Sequence, residues 1–143
     1  MENKKEIIAG IIIIGNEILS GRTQDTNTST LSIWLNSLGI KVQEVRVIPD
    51  IEKKIIDTVN DFRKQFNYVF TTGGIGPTHD DITASSISKA FGLEYGPHKE
   101  AMSILEKYYK PGEFNEGRQK MAWMPTTANL ILNPTSGAPG FNV

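Results

Sequence analysis

Tyr68-Val69-Phe70-Thr71-Thr72-Gly73-Gly74-Ile75-Gly76-Pro77-Thr78-His79-Asp80-Asp81 joins a short aromatic and β-branched run to three glycines, a proline and two aspartates. The apolar run predicts a strand, and a helix is predicted to follow over residues 81–91, stopped by Gly92. Glycines between a strand and a helix let the backbone take positive φ and approach a ligand closely. Their amides, with a helix N-terminus beyond, form an anion site that needs no lysine. Thr71, Thr72 and Thr78 add hydroxyls beside it. The same stretch also reads as a tight turn with Thr78 or Asp80 as a helix cap. It matches neither the dinucleotide fingerprint nor the Walker pattern. Three glycines, a proline and Asp-Asp exceed what a turn requires, so the ligand reading is preferred.

Working outward, Ile7-Ile8-Ala9-Gly10-Ile11-Ile12-Ile13-Ile14 is continuously apolar, as in a parallel strand covered on both faces. Leu31, Trp34, Leu35 and Leu38 at helical spacing predict a helix over residues 27–38, stopped by Gly39. Residues 40–48 partly alternate and predict a strand nearer an edge. Asp50 is the expected N-cap of a helix carrying Ile51, Ile55, Ile56, Val59, Phe62 and Phe66 on one stripe. Beyond the glycine loop, helices are predicted after Pro97 and around residues 118–123, and a short strand at residues 129–132. Strand and helix alternating in this way predict an α/β, doubly wound, mostly parallel sheet. Ligands bind such sheets at the carboxyl ends of strands, where the glycine loop sits.

Residues 15–27 (Gly-Asn-Glu-Ile-Leu-Ser-Gly-Arg-Thr-Gln-Asp-Thr-Asn) follow the first strand and are expected on the same edge. Glu17 and Asp25 are suited to a cation or a ribose hydroxyl, and Asn27 either caps a helix or reaches the ligand. Any one of them alone would ordinarily be a solvated loop residue. Asp80 and Asp81 beside a bound phosphate would repel it unless a hard cation sat between them. Otherwise one of the two caps the helix and the other is solvated. His79 and His98 are the two histidines, and no third ligand supports a zinc site. His98 is expected at the surface, and the two tryptophans in the core or at its rim. No nucleophile elbow occurs.

The 143 residues suit one domain, and 38% apolar with 22% charged residues excludes disordered and fibrous classes. A net charge of −1 leaves no field for nucleic acid. The eight-residue apolar run is too short for a bilayer and lacks a cleavage site, so no membrane role and a cytoplasmic location are expected. The absence of cysteine excludes disulfides and thiolate chemistry.

Residues 72–83 (Thr-Gly-Gly-Ile-Gly-Pro-Thr-His-Asp-Asp-Ile-Thr) resemble the signature of the MogA/MoaB-like molybdopterin-binding domain. The wording is nearest the competence/damage-inducible CinA branch, which is also similar to a domain of some eukaryotic FAD synthases. Residues 15–21 with Asp25, Thr26 and Asn27, then Arg118, Gln119, Met124-Pro125, Asn133-Pro134 and residues 137–141, extend the resemblance over essentially the whole chain. It implies a three-layer α/β fold and a pocket for a phosphorylated pterin or an adenine nucleotide. Mg²⁺-dependent adenylyl transfer, within molybdenum cofactor biosynthesis, is the chemistry of one branch. Metal-dependent pyrophosphate cleavage of ADP-ribose, a hydrolase activity, is that of the CinA branch. By match, Gly73, Gly74 and Gly76 bind phosphate, with Thr72, Thr78, Glu17, Asn27 and Gly137 lining the ligand. Asp81 and Asp25 would be catalytic, and Asp81 with Asp80 would hold Mg²⁺ or Co²⁺. A non-catalytic binding module is the alternative, because Asn16 stands where the family often has aspartate. The domain is expected to span residues 1–143, cut short before a further strand. Phe141 and Val143 then start a strand whose open edge a partner chain is expected to cover, in a homo-oligomer, unless that end is poorly ordered.

Overall fold

The computed structural model describes residues 5–143, which fall into two compact units, one ending at Gly73 and the other running from Gly74 to Val143.

The first unit is built on β1 (Ile7–Ile14), β2 (Ile40–Ile48) and β3 (Tyr68–Thr72), a parallel sheet of order β2-β1-β3. Its helices are the single turn α1 (Asn16–Leu19), α2 (Asn27–Ser37) and α3 (Glu52–Gln65). β1 is flanked on both sides, and Ala9 and Ile11 to Ile14 are buried. That is why its sequence is uniformly apolar rather than alternating. The chain moves from β1 to β2 and then crosses β1 to reach β3. Right-handed crossovers therefore place α2 and α3 on opposite faces, making the carboxyl ends of β1 and β3 a topological switch point.

α3 buries Ile55, Val59 and Phe62, and Phe66 closes its end against Phe62, ring centroids 5.1 Å apart at 75°. Each such side chain contributes about 1.5–3 kcal/mol of burial. Gly10 marks where they approach the strand, since a Cβ there would lie 2.6 Å from both rings. The register of β1 on β2 shifts at the same place, between Ala9 and Gly10.

Some expectations need correction. Asp50 does not cap α3, whose N-cap is Ile51 without a side-chain bond. Its Oδ2 instead accepts from the Asn16 amide at 3.1 Å, while the Asp50 amide donates to Asn16 Oδ1 at 3.3 Å. On α2 only Leu35 is buried, and Trp34 and Leu38 lie exposed.

The second unit contains α4 (Thr83–Phe91), β4 (Tyr95–Pro97), α5 (Lys99–Tyr108), α6 (Glu116–Gln119), a 3₁₀ turn (Lys120–Ala122), β5 (Trp123–Pro125), β6 (Asn129–Ile131) and β7 (Gly140–Asn142). β4 pairs with β5, and β6 with β7, both antiparallel. Ala101, Leu105, Ala122 and Met124 form its core, with Phe114, Leu130 and Phe141 packed around them. Phe141 therefore lies in β7 opposite Leu130, while Val143 is exposed. His98 is buried, contrary to its expected surface position. Its Nδ1 accepts from the Ala101 amide at 3.3 Å, capping α5, and Nε2 donates to the Ala128 carbonyl at 2.9 Å. No described helix is long and apolar enough to cross a membrane.

Candidate functional site

In the first unit the strand ends hold the loops in place. Ile13 pairs with Thr72, so β1 and β3 finish at one edge. Gly73 then turns at φ 92°, and a Cβ there would lie 1.9 Å from the Ile14 carbonyl oxygen. No other residue fits. After β1, the Gly15 amide donates to the Ile48 carbonyl at 3.0 Å. The half-buried Glu17 folds its carboxylate over Gly15, where an added Cβ would lie 2.6 Å from Oε1. Asp25 accepts from the Asn27 amide at 3.0 Å and from the Thr28 hydroxyl, so both its oxygens serve the first turn of α2. Asn27 is exposed.

The second unit opens with Gly74 at φ 67°. Its carbonyl accepts from the Thr83 amide at 3.1 Å, tying the loop to the start of α4. The helix begins at Thr83 rather than directly after the glycines, with a turn over residues 78–81 between. Asp81 closes that turn: Oδ2 accepts from the Thr78 amide at 2.9 Å and from its hydroxyl at 2.8 Å. A Cβ on Gly76 would lie 2.8 Å from the same oxygen. Lys120 also grips the turn, Nζ donating to the Thr78 carbonyl and, at 2.8 Å, to that of Asp81.

Around this turn lies an open cleft with about 330 Å³ of space, part of it open to solvent. Gly74, Gly76, Asp81 and Lys120 give its lining polar groups, and Tyr95, Met121, Trp123 and Phe141 give it apolar surface. Tyr95 and Trp123 pack with ring centroids 5.5 Å apart. Burial pushes the Tyr95 phenol pKa above its ordinary 10.0, keeping it a neutral hydroxyl. The lining combines a glycine backbone, one ammonium, one carboxylate and planar rings. It suits a ligand with an anionic end and a flat apolar end.

The remaining expected residues lie elsewhere. Asp80 is exposed and pairs with His79, Oδ1 to Nε2 3.2 Å. Thr78 spends its hydroxyl on Asp81. Gly137 turns at φ 75° against Tyr108, whose ring would lie 2.7 Å from an added Cβ, and it does not line the cleft. Among the described residues no three acidic or histidine side chains gather to hold a metal ion. A Mg²⁺ ion can be bound through one or two carboxylates plus substrate phosphates. Asp81, with Oδ1 outside the turn's hydrogen bonds, fits that arrangement but not an all-protein cage. Tyr95, Met121 and Lys120 escaped the sequence reading. The one available signal was an aromatic, a methionine and a lysine near predicted element ends.

A family model described as "Probable molybdopterin binding domain" matches residues 10–143. A protein of Pyrobaculum calidifontis is 41% identical over 134 residues, covering 92% of this chain and 51% of the relative. The chain thus spans about half the length of that curated relative. The crystal structure of CinA from Thermoplasma acidophilum superposes with a TM-score of 0.87 at 32% identity, covering 94% of this chain and 79% of that one. The tungsten cofactor synthesizing protein MoaB of Pyrococcus furiosus shares the fold, with a TM-score of 0.58 at 20% identity over 94% of this chain and 79% of that one.

Proposed function

The chain belongs to the molybdopterin-binding domain family, in its CinA-like branch, and on that premise we propose that the cleft beginning at Gly74 takes a phosphorylated heterocycle and cleaves its pyrophosphate. An ADP-ribose-like nucleotide is the substrate class, and a phosphorylated pterin is the related ligand. One observation carries the reading: glycine backbone, Lys120 and the Tyr95–Trp123 rings line a single cleft. Phosphate oxygens would meet the backbone of residues 74–76 and the ammonium, while the ring lies against the aromatic wall.

Hydrolysis of ADP-ribose bonds a water oxygen to one phosphorus and breaks the bridging P–O bond. The other phosphate leaves with the bridging oxygen, and the products are AMP and ribose 5-phosphate. This chain's own part is to bind the pyrophosphate, orient it and stabilise the charge that grows on it. Mg²⁺ or Co²⁺ held by Asp81 would supply a Lewis acid on the phosphate oxygens. A second reading, a ligand-binding module without turnover, draws on the commitment of the Asp81 and Asp25 carboxylates to local turns. Incubation with ADP-ribose, with and without Mg²⁺ or Co²⁺, separates the two. Release of AMP supports the hydrolase, calorimetric binding without AMP supports the module, and absence of binding by ADP-ribose and by a phosphorylated pterin overturns both.

A further inference from the structure

The geometry points to Lys120 as the cleft's built-in cation, a residue that positions the loop turn and also contacts the ligand's phosphate directly. The inference rests on reading the cleft as a phosphate site.

Lys120 belongs to the 3₁₀ turn that follows α6, far along the chain from the loop it grips. Its half-buried side chain reaches back 42 residues to the Thr78 carbonyl and 39 to that of Asp81. An ammonium carries three N–H donors. The two carbonyls occupy two, and no carboxylate among the described residues of this unit forms an ion pair with it. The ammonium therefore lines the cleft with Gly74 and Gly76 outside any ion pair, the Asp81 carboxylate being the one acidic group that shares the lining. A lysine at the surface would normally extend into water, where it is strongly hydrated. Here it is held against two backbone oxygens, which fixes its position but leaves its formal charge available. An arriving phosphate would find one N–H and an oriented positive charge beside the glycine backbone.

Asp81 holds the same turn through the Thr78 amide and hydroxyl. The turn is thus clasped by a carboxylate on its donor side and by an ammonium on its acceptor side. Loss of Lys120 should free the turn and remove the cation together, whereas arginine keeps the charge. The cleft should consequently hold a phosphate group without any divalent metal.

Calorimetry with inorganic pyrophosphate and with ADP-ribose, in EDTA, tests this on wild type, Lys120→Gln and Lys120→Arg. Wild type should bind both in EDTA, Lys120→Gln should bind both about 10- to 100-fold more weakly, and Lys120→Arg should recover most of the loss. Hydrogen exchange of residues 77–82 should quicken in Lys120→Gln, a readout of the positioning role. Unchanged affinity in Lys120→Gln, with wild type binding, overturns the inference and leaves the cleft reading intact. Wild-type binding that appears only with added Mg²⁺ overturns it too. Failure of wild type to bind either probe, with or without metal, overturns the inference, and the cleft reading falls with it when a phosphorylated pterin also fails to bind. Should Lys120→Gln fail to fold, wild-type salt dependence decides: affinity unchanged between about 50 and about 300 mM NaCl overturns a direct cation contact, and a steep fall supports it.

Discussion

Gly73 sits so close to Ile14 that a Cβ on it would lie 1.9 Å from the Ile14 carbonyl oxygen. The end of β3 is therefore locked to the end of β1 by the absence of a side chain. Gly73→Ala has to move one strand end off the other and also strain φ 92°. Gly39→Ala carries the φ cost alone, because φ is 80° there and nothing lies within 4 Å. Urea denaturation should show Gly39→Ala losing about 1–2 kcal/mol and Gly73→Ala clearly more, at least about 3 kcal/mol. Equal losses at the two sites would show that strand contact does not matter.

The same device operates inside the sheet at Gly10, where a Cβ would meet Phe62 and Phe66 at 2.6 Å. Gly10→Ala should cost about 1–3 kcal/mol through overpacking. Phe66→Leu shortens the obstruction, so the double variant should lose less than the sum of the two single losses. Additive losses in a double-mutant cycle would remove the proposed contact.

These particulars show where the sequence was legible. β1 was read to its end residues because a central parallel strand, covered on both faces, must be apolar throughout. The glycine loop was legible in part for local reasons, Gly74 taking φ 67° and Gly76 clearing the Asp81 carboxylate five residues on. The Ile14 carbonyl that Gly73 must clear, by contrast, lies far back in the chain. Asp50 was misread because its local choice, capping α3, lost to a reciprocal pair with Asn16 across 34 positions. His98 was misread likewise, since its partner Ala128 lies 30 residues away. β4 and β5 have three residues each, too few for any period to appear. Lys120 and Tyr95 gained their places through contacts that no spacing encodes, so the acidic half of the cleft was visible in the sequence and the cationic half was not.

Asp81→Asn separates the turn from the metal. Asparagine keeps an acceptor for Thr78, so stability should change by less than about 1 kcal/mol, whereas Asp81→Ala leaves the Thr78 amide without it and should cost about 1 kcal/mol. With ADP-ribose in EDTA, Asp81→Asn should bind as well as wild type or better, because one negative charge near the phosphates is gone. Any gain in affinity that Mg²⁺ brings to wild type should vanish in the variant. Calorimetry that finds the Mg²⁺ gain intact would remove Asp81 from metal binding.

His98 joins α5 to the chain before β6 through two hydrogen bonds made by one neutral ring. Replacing it with alanine orphans the Ala101 amide and the Ala128 carbonyl and leaves a cavity. Thermal unfolding should register a loss of about 2–4 kcal/mol. His98→Asn retains a cap acceptor for Ala101 but shortens the reach to Ala128, so its loss should be intermediate. Near-native stability in His98→Ala would mean that the buried ring carries neither bond.

Tyr95 supplies the last test, through alkaline pH. Burial raises its pKa above 10.0, so on raising the pH the unfolded phenol ionises before the folded one. The unfolded state then holds fewer protons than the native state, and the slope of unfolding free energy against pH is negative. The Tyr95 contribution should be complete below about pH 9 and fall as the pH passes 10 toward the raised folded value. Tyr95→Phe keeps the ring against Trp123 and removes the titrating group. Urea midpoints for wild type and variant should therefore keep a constant offset at neutral pH, and above about pH 10 the wild-type midpoint should fall relative to the variant's. A constant difference from neutral to alkaline pH would show that the phenol is as well hydrated in the cleft as in the unfolded chain.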